Sequence, residues 1–209
     1  MSTTTKDQPH MLVDILRQGE ALAQLLDRYD SFAAIGAEHL TPGPGGKLAA
    51  FGCGDGWFAA RAVGAVSAAA FDLAVEGVTS LDYLLSESRN PGPEDRAVAI
   101  SMSGTVDRTI AAAQRIKTAG GRHVALTNED GAAMGAAANA VASLKIDDIA
   151  PFLTGTTRYS GTILGMMMLI EGAARAAGRS PKVSCRGLEM AALLTRTIPE
   201  SLEICQKTL

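Results

Sequence analysis

The sequence predicts an α/β fold: a three-layer α/β/α sandwich in which a five-stranded parallel sheet lies between helices, with helices flanking it at both ends. Three observations carry this expectation. From residue 48 to residue 127 short apolar runs alternate with helical patterns, the repeated β-loop-α rhythm of a parallel sheet with right-handed crossovers. The run Ala97-Val98-Ala99-Ile100 is apolar throughout, as a strand covered on both faces must be. Two apolar runs end in small residues just before a helix begins, at Gly52-Cys53-Gly54-Asp55-Gly56 and at Ser101-Met102-Ser103-Gly104-Thr105.

Each element follows from local pattern. Residues 11–29 read as a helix with Met11, Ile15, Leu22 and Leu26 near one face, widened by Leu12 and Leu25 and weakened at Gly19. A second short helix covers 31–40, and Thr41-Pro42-Gly43-Pro44-Gly45-Gly46 stops it. The first strand is 48–51, followed by a helix over 57–70. The second strand is placed at 72–75, and Thr79 or Ser80 caps a short helix reaching Leu84 and Leu85. After a turn-rich loop at 89–95 comes the third strand, 97–100. The next helix runs to Ala119 with Ile110, Ala113 and Ile116 as its buried stripe, and Gly120-Gly121 ends it. Strand four is 123–127, a short helix 131–138, and strand five 140–144. A loop over 145–156 leads into a long helix, 157–177, whose Gly161, Gly165 and Gly172 permit tight packing against the sheet or another helix. The chain thus divides into an N-terminal helical segment (1–46), an α/β domain (47–178) and a helical tail (179–209), in which Pro199 separates or opens the last helix.

Composition narrows the function classes. Of 209 residues 47% are hydrophobic and 20% charged, with mean hydropathy +0.14, which excludes a disordered chain. Only 4% are aromatic, so the core must be built from Ala, Val, Leu, Ile and Met. Net charge is −3 and the isoelectric point about 5.6, against a broad nucleic-acid-binding surface. The N-terminus lacks the basic and apolar regions of a signal peptide, and 163–170, the most apolar stretch, is too short to span a bilayer and is followed by Glu171. Cys53, Cys185 and Cys205 lie far apart, so reduced thiols are expected rather than a disulfide scaffold or a metal knuckle. The expectation is a soluble cytoplasmic protein with no cofactor, no metal, no nucleic acid and no membrane partner.

Two loops are suited to chemistry. Gly52–Gly56 permits a sharp turn and close backbone approach, but Trp57 stands where a dinucleotide fingerprint needs glycine. A packing loop and a polar small-molecule pocket both fit it. Ser101, Ser103 and Thr105 place three hydroxyls at a strand end, with the N-terminus of the next helix behind them, where amides and the helix dipole favour an anion. No lysine follows Gly104, so this is not an ATPase phosphate loop. Cys53 has no histidine close in sequence and is expected to be a small buried residue. Asp147 and Asp148 read as a loop charge pair, and His10, His39 and His123 as surface or hydrogen-bonded structural histidines.

The segment 99–105, Ala-Ile-Ser-Met-Ser-Gly-Thr, resembles the I-S-x-S-G-x-T signature of sugar isomerase (SIS) domains, which bind phosphosugars. Four further segments resemble the family in order and spacing: Phe51–Gly56 its first glycine loop, Val75-Glu76 a V-E pair after the second strand, Ala125-Leu126-Thr127-Asn128 the I-T-N end of the fourth strand, and Thr156-Thr157-Arg158-Tyr159 the opening of the long helix. The resemblance covers about 47–177. It implies the strand order 2-1-3-4-5 of flavodoxin-like sheets, a phosphorylated sugar as ligand, and a homodimer or higher even oligomer. It also implies that Ser101, Ser103 and Thr105 hold the phosphate, with Met102 and Gly104 shaping the loop. Gly54 and Asp55 then face the sugar, where Asp55 accepts hydroxyls, and Thr156 and Arg158 close the rim. Glu76 is the carboxylate put forward for catalysis.

The match departs from the glucosamine-6-phosphate synthase-like branch at two positions. Val106 stands at a phosphate-binding threonine and Gly56 at a hydroxyl residue. That branch draws its base, ring-opening histidine and lysine from a second domain. Aldose–ketose isomerisation of a sugar phosphate or amino-sugar phosphate is therefore the favoured reading. A phosphosugar-binding or sensing domain, and an assembly subunit with a degraded pocket, are the alternatives. The long Ala- and Met-rich helix is either the dimer surface or the domain's own core.

Overall fold

The computed structural model describes residues 9–86, 89–150, 155–187, 196–201 and 203. Five strands form one parallel sheet in the order β2-β1-β3-β4-β5: β1 Leu48–Gly52, β2 Glu76–Thr79, β3 Arg96–Ile100, β4 Arg122–Thr127 and β5 Ala140–Ser143. Around it pack the helices α1 His10–Leu26, α2 Tyr29–His39, α3 Asp55–Phe71, α4 Ser80–Leu85, α5 Asp107–Thr118, α6 Ala133–Ala137 and α7 Thr156–Ala176, and residues 196–201 are helical as well. The expected α/β architecture and strand order are both present.

Strand alternation sorts the two faces by size. Leu48, Ala50, Val98, Ile100, Val124 and Leu126 point to the side covered by α3 and α7, over which α1 and α2 lie. Ala49, Ala97, Ala99 and Ala125 point to the other side, where small residues let α5 sit close and Phe51 stacks on Tyr83 of α4 at 4.5 Å between ring centroids. Met166, Met168, Leu169 and Ile170 of α7 are fully buried. The long helix is therefore core, not an exposed dimer surface. α2 crosses it backbone to backbone: a Cβ on Gly172 would sit 2.0 Å from the Ala33 carbonyl oxygen.

Three sequence expectations change. The second strand begins at Glu76 rather than occupying 72–75. Asp72 is instead the left-handed C-cap of α3 (φ 54°), and the Val75 amide donates to Ser67 Oγ, so 72–75 is the turn that brings the chain back. Pairing starts where Gly77 lets the strand press onto α3; a Cβ there would lie 2.3 Å from the Ala60 carbonyl oxygen. Cys53 is exposed, not buried. His123 is fully buried, yet neither ring nitrogen has a partner, so it is neither a surface histidine nor a hydrogen-bonded one. Cys205, Glu189 and Pro151 lie outside the described residues.

Candidate functional site

In a parallel sheet every strand presents its C-terminal end at the same edge, and ligands bind there, at the point where strand order reverses. Here that point lies between β1 and β3, whose ends Gly52 and Ile100 pair directly. A cavity of about 350 Å³ opens there. Its walls come from the loop after β1 (Cys53, Asp55, Gly56), the loop after β3 (Ser101, Met102, Ser103, Val106) and the start of α7 (Gly155, Arg158, Tyr159, Thr162), over a floor at Ile100.

The loop after β3 is built by specific bonds. The Ser101 amide donates to Leu126 of β4, and the Gly104 amide closes a turn onto the Ser101 carbonyl. Gly104 has φ 63°, and a Cβ there would lie 2.4 Å from that of Ala132, so both conformation and space demand glycine. The Met102 carbonyl accepts from the Thr127 hydroxyl at 3.1 Å and from the Asn128 amide at 3.0 Å, which ties the loop to the end of β4. Ser103 Oγ lies 2.9 Å from Thr105 Oγ1. Ser101 is only 6% exposed, and its hydroxyl in the cavity wall has no hydrogen-bond partner. An unpaired buried hydroxyl costs roughly 1–3 kcal/mol. Behind the loop, Val106 is the N-cap of α5 and offers no side-chain cap; its carbonyl accepts from the Thr109 and Ile110 amides, which leaves the Asp107 and Arg108 amides to another acceptor.

The loop after β1 turns at Gly54, the N-cap of α3, with φ 53°. Asp55 and Cys53 are exposed and reach the cavity, and the Thr109 hydroxyl donates to Cys53 Sγ at 3.8 Å. On the opposite wall Arg158 pairs with Asp148 at 2.8 Å, and its Nε is buried without a partner.

The start of α7 is fixed from a distance. Asp14 of α1, 1% exposed, accepts from the Thr157 amide at 3.0 Å, the Thr156 hydroxyl at 3.1 Å and Arg17. Burial alone raises the pKa of this carboxyl, but the bonds from Thr157, Thr156 and Arg17 outweigh it, and the net direction is down. Gly155 is required here, because its Cβ would lie 2.6 Å from Asp14 Oδ2.

Of the residues put forward from sequence, Asp55, Ser101, Met102, Ser103 and Arg158 come together around this cavity. Gly54 and Gly104 shape its loops without lining it. Thr105 turns toward Ser103. The Thr156 hydroxyl donates to Asp14 and accepts from Gln18 at 3.0 Å, so it is tied to α1 and does not line this cavity. Glu76 is at the other end of the sheet. It pairs in register with Ala49, three residues before Gly52 and so about 10 Å back along the strand. There it makes an ion pair with Arg89 at 2.6 Å. Its place in the sequence resemblance did not reveal that it opens the strand rather than ending it. Sequence reasoning missed Cys53, Gly155 and Thr162 as lining residues. Among the described residues no group of three or more His, Cys, Asp or Glu is placed to hold a metal, and no helix is long and apolar enough to cross a membrane.

No protein-family description and no curated protein matches the sequence. Solved structures do. A presumptive phosphosugar isomerase from Clostridium difficile 630 superposes with TM-score 0.72 at 15% identity, covering 90% of this chain and 52% of that one. A presumptive phosphosugar isomerase from Silicibacter pomeroyi DSS-3 gives 0.70 at 18%, covering 90% and 56%. The C-terminal domain of glucosamine-fructose-6-phosphate aminotransferase from Francisella tularensis gives 0.71 at 12%, covering 95% and 55%. The chain spans about half the length of these proteins. At such identities the likeness establishes architecture: this chain is built on the fold of phosphosugar-isomerase (SIS-type) domains.

Proposed function

We propose that the cavity between β1, β3 and α7 binds a sugar phosphate or amino-sugar phosphate. The observation that carries this reading is the Ser101 hydroxyl, buried in the cavity wall with no partner in the protein. A phosphate oxygen supplies the missing acceptor. Ser103 joins it by releasing Thr105, and the uncapped first turn of α5 offers amides and the positive end of its dipole. Arg158 is the cation at the rim, already balanced by Asp148, so phosphate competes with a carboxylate for it. Asp55 accepts sugar hydroxyls on the far side.

Catalysis is the second reading. Moving a proton between C1 and C2 needs a base, and Asp55 is the carboxylate that lines the cavity. Glu76 is too far away to serve. We also infer a homodimer through the outer face of α3, where Phe58, Ala62, Ala65, Val66 and Ala69 are exposed and Arg61 is the charged residue among them.

Calorimetric titration with hexose, pentose and amino-sugar phosphates tests the binding reading, with the unphosphorylated sugars and Ser101→Ala as controls. Saturable, phosphate-dependent heat that Ser101→Ala weakens by about 1–3 kcal/mol is expected. No phosphate-dependent binding by folded protein overturns it. An isomerisation assay on the tightest ligand, with Asp55→Asn beside the wild type, then separates binding from turnover.

A further inference from the structure

We propose that Cys53 is a modification site at which a small, carboxylate-bearing disulfide exchanges onto the protein and intrudes on the cavity. Two independent observations meet here. Cys53 is an exposed thiol in the cavity wall, and the Thr109 hydroxyl donates to its sulfur at 3.8 Å, which fixes where the sulfur sits. Thr109 is itself buried and paired with buried Ser80 at 2.9 Å, so this donor is held in place. The second observation is the unpartnered hydroxyl of Ser101, a residue only 6% exposed, in the wall of the same cavity. It marks the space beside the sulfur as one that takes a polar guest.

The volume of about 350 Å³ lies at the small end of small-molecule sites, so an adduct the size of one amino acid fits inside and takes up room a ligand needs. Arg158 on the facing wall is a counter-charge for the adduct's carboxylate.

The exchange balances without a further oxidant. Cys53 loses its proton to solvent, and its sulfur attacks one sulfur of the disulfide. The original S–S bond breaks as the Cys53–S–S bond forms, and the other half leaves as a thiolate. Cys53 is oxidised and the released half reduced. Cys185 is an internal contrast: it is fully buried, and burial first and Glu171 second push its thiol pKa up.

The test uses the full chain, native and reduced, as Cys205→Ser and with Cys53→Ser or Cys53→Ala added to it. Dithiobis(nitrobenzoate) is the probe, because the leaving thiolate is coloured. A fast equivalent is expected in Cys205→Ser and absent when Cys53→Ser or Cys53→Ala is added to that background, with thermal melts confirming folding. A fast equivalent that persists in the Cys53 variants overturns the assignment. In the Cys205→Ser background, treatment with cystine is expected to weaken sugar phosphate binding about tenfold or more, with recovery on reduction. Unchanged affinity in fully labelled protein overturns the claim that the adduct intrudes on the ligand's space. The labelling arm needs no sugar phosphate, so a failure of the phosphosugar reading and a failure of the Cys53 site register separately.

Discussion

Ser101 and His123 are both buried polar side chains without partners, and they make opposite demands. Ser101 faces a cavity, so Ser101→Ala removes an unpaired hydroxyl from the empty protein and is expected to leave its melting temperature unchanged or raised. The same change weakens ligand binding. A stability loss above about 1 kcal/mol in the empty protein means the hydroxyl serves the fold instead. His123 lines no such cavity. Burial, with Lys117 second, holds its pKa down at about 4. The unfolded chain takes that proton near 6.5, so between about pH 6.5 and 4 it binds more protons than the folded one. Stability is therefore full above pH 6.5 and falls as pH drops through this window, by roughly 2–3 kcal/mol from this residue. His123→Leu is expected to lose that share of the acid sensitivity in urea melts at pH 7 and pH 4.5, and to match or exceed the wild type at pH 7. An unchanged pH dependence sinks the assignment. At this scale the sequence was legible where spacing dictates geometry. Ser101, Ser103 and Asp55 sit at strand ends whatever the core does. It was not legible where exposure depends on distant packing. Cys53 meets water in a cavity whose facing wall is the start of α7, about a hundred residues away, and nothing local to Cys53 encodes that wall.

The element that decides the cavity is the start of α7, which carries Gly155, Arg158, Tyr159 and Thr162 into the wall. Its N-terminus is capped across the fold, by Asp14 of α1, with no capping side chain of its own. Asp14→Ala is expected to destabilise by about 2–3 kcal/mol, because the Thr157 amide is left buried and unpaired, and to weaken ligand binding as the wall loosens. Gly155→Ala should reproduce the defect more mildly through the clash of its Cβ with Asp14. Full stability of Asp14→Ala in denaturant melts refutes the cap. The two edges of the sheet teach the same lesson about legibility. Buried central strands such as Ala97–Ile100 announce themselves by continuous apolarity. β2 is a four-residue edge strand, Glu-Gly-Val-Thr, and only Val78 of it is buried. The apolar Leu73–Val75 beside it is the more strand-like sequence, yet it forms the turn. That shift of four residues is what moves Glu76 from the ligand edge to the opposite one.

On the scale of the whole molecule the unexplained surface is α3. Phe58 is 53% exposed and Val66 49%, while Ala62, Ala65 and Ala69 between and beside them are exposed as well. Phe58, Ala62 and Val66 are spaced four apart and form one ridge. Its order is large, small, large about Ala62, so the ridge turned end for end presents the same profile. In the proposed isologous two-fold contact Phe58 of one copy would lie against Val66 of the other, and Ala62 would meet its own image. A 17-residue helix is about 25 Å long. Its outer face alone falls short of the roughly 800 Å² per partner of a stable interface. The contact must therefore extend onto neighbouring surface, and Phe58 adjoins the cavity mouth through Asp55 and Tyr159. Dimerisation and ligand binding are then expected to support each other. In sedimentation experiments the wild type should dimerise with rising concentration, and a bound sugar phosphate should shift the equilibrium further. Ala62→Glu puts two carboxylates on the two-fold axis and should give a folded monomer. A wild-type protein that stays monomeric at every concentration, or an Ala62→Glu variant that dimerises as well as the wild type, removes α3 as the contact and leaves its apolar face for a partner of another kind.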